Sequence, residues 1–402
     1  MLNKVAETQM PKEKLWNANY LKIWSANFLI YFSFMLLMPL LPLYLKDTFF
    51  ADKQTIGIVL SGYTLAALFI RPFSGYIVDS YSRKTVLIIC NFLFFALFAG
   101  YLVAGSITMF TIFRTVHGAP FGAVTVAGNT VAIDVLHPTR RAEGIGYYGL
   151  SNNLATAISP TIAVWLLNAT SSYELLFWIS LITSFIGLLT TASIKMPRKT
   201  ITTPEKNIIS LDRFFLTKGW REGVCMLCFS FSYGILSTYL AIYGKEELNI
   251  TGGTGFFFFL LALGLMLSRL TGAKGLRKNL VARNASHGML VSLVGYFMFA
   301  AIHNSFGYYG AALIIGLGNG HMYPAFQTMF VNLAENRHRG TANSTLLTSW
   351  DLGVGIGVLL GGLTAEHVGY HCSFWLMWIV NLLGVLYFLL RVRNHFEQNK
   401  LR

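Results

Sequence analysis

Charge is scarce in this sequence. Only 12% of its 402 residues are Asp, Glu, Lys or Arg, against about 25% in an ordinary soluble domain. Hydrophobic residues make up 54%, and the mean hydropathy is +0.54. A chain so poor in charge over such a length is neither a soluble enzyme nor a disordered protein. Cysteine is scarce as well. Cys90, Cys225, Cys228 and Cys372 are scattered and form no disulfide framework. Cys225 and Cys228 have the spacing of a redox motif, but their apolar helical run follows no strand, which reads as packing. There is no phosphate-binding Walker loop, so ATP is not the expected energy source. No nucleophile–base pair or metal-ligand set is legible, so neither an enzyme nor a cofactor is expected. His367 and His371, four apart beside Glu366, lack a further ligand and read as a solvated loop.

What the sequence does have is long apolar runs, one after another. A bilayer-spanning helix needs about 20 apolar residues. Runs broken by charge, Pro and Gly give twelve expected helices, over 20–45, 55–78, 84–104, 107–135, 142–167, 173–194, 219–244, 253–273, 283–303, 307–333, 341–366 and 372–391. The first run is too long for a signal peptide and has no small-residue cleavage site. The expected fold class is an all-α multi-pass membrane protein.

The net charge of +14 comes from 31 Lys and Arg against 17 Asp and Glu, and its placement matters more than its size. Lys4, Lys12, Lys14, Lys22, Arg71, Arg83, Lys84, Arg140 and Arg141 fall on one side. So do the clusters 195–221 and 269–283, the pair Arg337 and Arg339, and the C-terminal basic residues. The other side holds little beyond Lys46, Lys53 and Lys245. Cytoplasmic loops collect Lys and Arg, which puts both termini in the cytoplasm and makes the number of spans even. The basic balance is therefore topology, and nucleic acid is not an expected partner.

Residues 195–218 are polar and basic, and divide the chain into expected six-helix bundles at 1–194 and 219–402. A shift of 198 residues lays Gly57 on Gly255, Arg71 on Arg269, Gly118 on Gly316, Gly122 on Gly320, Arg141 on Arg339 and Asn153 on Asp351. One offset recovering so many positions marks parallel repeats, an arrangement in which substrate binds near the midplane between halves.

With those features in place, the chain resembles the major facilitator superfamily. Gly75-Tyr-Ile-Val-Asp79-Ser-Tyr-Ser-Arg83-Lys84 follows the family's G-x-L-x-D-R-x-G-R-K signature, with Ser80 and Ser82 as departures. Arg114-Thr-Val-His117-Gly118 is similar to its R-x-x-Q-G motif, with His117 in place of glutamine. Gly146, Ala155, Ser159-Pro160 and Ala163 keep the spacing of the antiporter motif G-x8-G-x3-G-P-x2-G, with Ala and Ser replacing three glycines. That last resemblance points to the drug:proton antiporter branch. It implies a twelve-helix fold, proton coupling, and a role for Gly75, Asp79, Arg83 and Lys84 in gating.

Of the 17 acidic residues, only Asp351 falls in mid-span. An ionised carboxylate at that depth is costly, so Asp351 should be paired, hydrated or protonated, and it is the leading proton-coupling candidate. His321, in the tenth span, is expected at a similar depth and titrates near neutrality, which makes it the candidate partner of Asp351. The resemblance implies a part in proton transfer or substrate contact for Arg114, with His117 one turn further in. It also implies that the first, fourth, seventh and tenth spans line the cavity. Their polar and aromatic residues are Asn27, Tyr31, Asn129, Tyr233, Tyr239, Asn319, Tyr323 and Gln327, which suit amphipathic organic ligands. Gly353, Gly355, Gly357, Gly361 and Gly362 read as a close-packing stripe.

The reading at this stage is a plasma-membrane secondary transporter exporting small amphipathic molecules against protons, for which a monomer suffices. A proton-coupled uptake symporter and a transporter-like sensor remain the alternatives. The topology makes a direct prediction. A cysteine placed in 195–218 should stay unlabelled by a membrane-impermeant thiol reagent applied to intact cells; labelling from outside would reverse the orientation.

Overall fold

The computed structural model describes residues 14–38, 40–51, 53–196, 214–250, 254–277 and 280–401, and among these there are helices and no strands. In chain order the helices are α1 (Ala18–Leu37), α2 (Leu41–Phe49), α3 (Lys53–Ser80), α4 (Arg83–Val103), α5 (Ile107–Asp134), α6 (Arg141–Thr170) and α7 (Tyr173–Ala192) in the first half. The second half contains α8 (Trp220–Glu246), α9 (Thr254–Arg277), α10 (Val281–Ala301), α11 (Ser305–Leu333), α12 (Arg339–Val368), α13 (Tyr370–Tyr387) and the terminal α14 (Arg393–Asn399). Twelve of them, all but α2 and α14, are long, from the 18 residues of α13 to the 30 of α12. Most of the expected linker falls outside the described residues.

The expected single helix over 20–45 is two helices. Pro42 stands in the first turn of α2, and a residue without an N–H starts a new helix rather than continuing the ladder of α1. Among the described residues seven helices are long and apolar enough to qualify as spans by themselves, and α5 with the segment Pro138–Thr170 qualifies as a bent pair. α11, although 29 residues long, is not among them. In α11, Gly316, Gly318, Asn319, Gly320, His321 and Gln327 are all buried. Small residues that let helices close up, and polar ones that bond across them, belong inside a membrane bundle.

The repeat is physical as well as textual. A Cβ on Gly118 of α5 would run into the backbone of Tyr63 in α3, and one on Gly316 of α11 into that of Leu261 in α9. Tyr63 and Leu261 are themselves 198 apart. Gly122 against Ala67 is matched in the same way by Gly320 against Leu265. In the α12 stripe, Gly353 and Gly357 abut the α8 backbone at Leu227 and Phe231, while Gly355 faces open space.

Helix ends are tied by side chains. Asn17 caps α1, and its amide also donates to the Val135 carbonyl at 3.0 Å. The Tyr20 hydroxyl donates to Gly144 O at 2.5 Å, and Leu401 N donates to Asn332 O at 2.8 Å. The chain's two described ends, the α3–α4 and α5–α6 turns and the α11–α12 turn thus gather at one end of the bundle, called the basic end below. Ser106, Ser172 and Asn304 cap α5, α7 and α11 at the opposite end.

Overpacking a well-filled helix contact costs about 1–3 kcal/mol. Gly118→Leu and Gly316→Leu should each lower the thermal unfolding midpoint in detergent, whereas Gly355→Leu should leave it unchanged. Equal melting of all three variants would contradict the close-packing account.

Candidate functional site

Arg71, Gly75 and Asp79 are spaced by four residues and share one face of α3. That face meets α12, so two helices from different halves form a seam. At the basic end Asp79 accepts hydrogen bonds from Gly340 N at 2.8 Å, Thr341 N at 2.8 Å and the Thr341 hydroxyl at 2.9 Å. These amides belong to the first turn of α12, whose own flanking residue His338 supplies no side-chain cap. Asp79 therefore caps a helix of the opposite half, where unpaired N–H groups and the helix dipole favour a carboxylate. Gly75 makes the approach possible. A Cβ there would stand 2.7 Å from Ser344 Cβ and 3.0 Å from Gly340 O.

Beside this cap, Asp134 at the end of α5 bridges Arg83 at 2.5 Å and Arg339 at 2.8 Å. Arg83 also reaches Asp79 at 3.3 Å and the Asn336 carbonyl at 2.8 Å. Further up, Asn343 donates to the Thr130 hydroxyl at 3.2 Å, and Gln327 donates to Asn129 Oδ1 at 3.1 Å. Asn129 and Gln327 are repeat mates, so the two halves touch there through equivalent positions.

The seam ends in an ion pair. Arg71 Nε lies 2.6 Å from Asp351 Oδ2, with side-chain exposures of 7% and 18%. Asp351 is twelve residues into α12, about 18 Å along its axis. Ser344 anchors the same stretch by donating to the Arg71 carbonyl at 2.5 Å. Tyr31 of α1 and Tyr323 of α11 lie within electrostatic reach of both charges. Trp350 meets Tyr323 edge-on and Tyr233 at a tilt, with ring centroids 5.4 and 5.5 Å away. Every hydrogen bond and ion pair between described residues of the two halves lies between this level and the basic end.

Asp351 is paired, as its depth demands, but not with His321. The His321 ring contacts Asn284 of α10, Nδ1 to Oδ1, at 3.2 Å. Proximity of helices α11 and α12 gave no information on which way each side chain points. Arg71 was sorted by charge to the cytoplasmic loops; its place on the seam face of α3 carries it into the bundle. Asp134 and Arg339 were also missed as site residues. The repeat held a signal for them, because the mates of Asp79, Asp134 and Asp351 are Arg277, Asn332 and Asn153. The acidic members of the seam exist on one side of the axis only.

Arg114 is buried, and not snorkelled to an interface. Its guanidinium sits 4.1 Å from the Tyr63 ring centroid and donates to the Tyr101 hydroxyl at 3.3 Å. Tyr101 Oη in turn lies 2.7 Å from His117 Nδ1. Arg114 and His117 thus share a chain within the first half, apart from the Asp351 pair. Of the expected cavity residues, Tyr31 and Tyr323 lie near the pair, and Tyr233 contacts the neighbouring Trp350. Asn27 is tied to Ser151 at 2.8 Å and Tyr239 to Val358 O at 2.8 Å. Asn129 and Gln327 are closed into the seam, and Asn319 is buried in α11. Gly75, Asp79 and Arg83 all stand at this contact between the halves. Lys84 makes no hydrogen bond or ion pair among the described residues.

Two sets of six long helices, packed alike by glycines 198 residues apart and joined at one end, have the architecture of a membrane transporter. The chain belongs to the Major Facilitator Superfamily, whose family model matches residues 23–344 and 285–402. It is 24% identical over 371 residues to the staphylopine export protein of Staphylococcus aureus, covering 87% of this chain and 88% of that one. It is also 24% identical over 400 residues to the quinolone resistance protein NorA of Staphylococcus aureus, covering 92% and 96%. The human organic anion transporter MFSD10 (TETRAN) superposes with a TM-score of 0.80 at 16% identity, covering 94% of this chain and 100% of that one. This last likeness is one of fold.

Removing the latch should tip the balance of states. A carboxylate accepting two backbone N–H groups and a hydroxyl is worth about 1–3 kcal/mol, or about 5–150-fold in an equilibrium. Asp79→Ala should raise thiol labelling of a cysteine at Thr341 by a factor in that range. Unchanged labelling would show that Asp79 does not hold the basic end shut.

Proposed function

We propose that this transporter exports small amphipathic organic molecules in exchange for protons, with the Arg71–Asp351 pair as the element on which proton and substrate compete. The carrying observation is the position of that pair. It joins the two halves at mid-depth, on the same α3–α12 seam that Asp79 latches, so opening the basic end must part it. Parting a buried ion pair leaves two unpaired charges, each expensive in a low-dielectric interior. Protonating Asp351 removes one of them and lowers the cost of opening. Loading substrate against Asp351 in the open state displaces the proton, and the loaded protein closes again at the basic end. Exchange follows because proton and substrate favour the ionised and protonated forms of one group differently.

Two curated relatives aligned over most of their length are an exporter and a drug-resistance protein, which supports outward transport. The positive-inside rule assigns the basic end, both termini and the linker to the cytoplasmic side of the plasma membrane. The partners on this reading are a small-molecule substrate, protons and the bilayer, and a monomer is sufficient.

Asp351→Asn keeps the shape of the side chain and removes its charge. In proteoliposomes with an imposed pH gradient it should cut gradient-driven substrate movement by more than about tenfold, a loss of about 1.4 kcal/mol in coupling, and flatten the pH dependence of binding. Full gradient-driven transport by this variant would remove Asp351 from the coupling role.

A further inference from the structure

We infer that the preferred substrates are zwitterions, molecules carrying an ammonium and a carboxylate close together on an aromatic body. The inference rests on the transport reading above and names the chemistry of the same site. Arg71 and Asp351 are in direct contact at 2.6 Å, and among the described residues Asp351 makes no other ion pair. Around them stand Tyr31, Tyr323 and, through its ring contacts, Trp350 with Tyr233. Those side chains offer rings and hydroxyls but no third charge.

A ligand that enters between Arg71 and Asp351 must replace what each loses. A simple cation pairs with Asp351 and leaves Arg71 buried and uncompensated. A simple anion pairs with Arg71 and leaves Asp351 in the same position. An unpaired charge in such a site costs more than the new pair returns. A zwitterion satisfies both, ammonium on the Asp351 carboxylate and carboxylate on the Arg71 guanidinium, where two N–H donors can hold it in a fork. Its aromatic part then lies among the tyrosines and tryptophan, whose faces supply area and whose polar edges tolerate varied shapes.

The test uses Nε-dansyl-lysine, which is zwitterionic at its α-carbon, with its methyl ester as the matched cation and its Nα-acetyl derivative as the matched anion. Binding to the purified full-length protein is read by dansyl fluorescence. The zwitterion should bind at least about tenfold more tightly than either analogue. Arg71→Gln should remove the discrimination against the ester, Asp351→Asn that against the acetyl form, and the double variant should treat all three alike. Tighter or equal binding of the ester or the acetyl form by the wild-type protein overturns the inference, as does failure of the zwitterion to bind. Transport under a pH gradient separates this from the exporter reading. Gradient-driven movement of the ester alone would leave proton-coupled export standing and the zwitterion assignment refuted.

Discussion

A buried arginine and a partly buried aspartate from opposite halves hold this structure at its centre, and most of what lies below them follows from that constraint. Neither charge is tolerable alone at that depth. Breaking a buried pair by removing one partner costs about 3–5 kcal/mol. The pair therefore keeps α3 and α12 together wherever no proton or ligand takes the place of one charge. The contacts below it are individually weaker. Asp79 on the first turn of α12, Asp134 between two arginines, and Ser344 on the Arg71 carbonyl each add a hydrogen-bond-sized increment. Because all of them cross between the same halves, opening the basic end breaks them together with the pair.

The internal repeat explains both the strength and the selectivity of this arrangement. Equivalent glycines place α5 against α3 and α11 against α9 in the same way, so the halves are rigid bodies of like construction. Charge breaks the symmetry. The acids at 79, 134 and 351 have Arg277, Asn332 and Asn153 as their mates. A clasp built symmetrically would place acids on both sides of the axis and double the charge to be buried. These three acids fall on the α3–α12 side, while Glu143, buried in the first turn of α6, pairs with Arg140 at 2.9 Å.

Much of this was legible before any coordinates. The apolar runs give the twelve long helices, and the signature around Asp79 picks out a residue that bonds across the halves. Depth identified Asp351, because burying a carboxylate in a membrane demands a reason. The partner was not legible. Pairing depends on which face of a helix a residue occupies and which helix lies opposite, and sequence neighbours such as α11 and α12 were the wrong guide. Arg71 was hidden by its own charge, since the loop-counting that fixes topology treats every arginine near a helix end as cytoplasmic. Polar residues in the expected cavity helices were mostly bonded to other protein groups, as with Asn27 on Ser151 and Gln327 on Asn129. Their type was informative, and their orientation was not. The break at Pro42 shows the converse, a local rule that a hydropathy reading passed over.

The central claim is that the protonation of Asp351 governs the seam. Spin labels at Lys84 and Arg337 would report it, since one lies on each half at the basic end, and Arg337 is exposed with a surface partner in Glu335. In the wild type, lowering the pH should protonate Asp351, weaken its hold on Arg71 and shift the distance distribution toward longer separations. In Asp351→Asn the long separations should dominate at every pH. The same pH-dependent shift in Asp351→Asn as in the wild type would contradict the account.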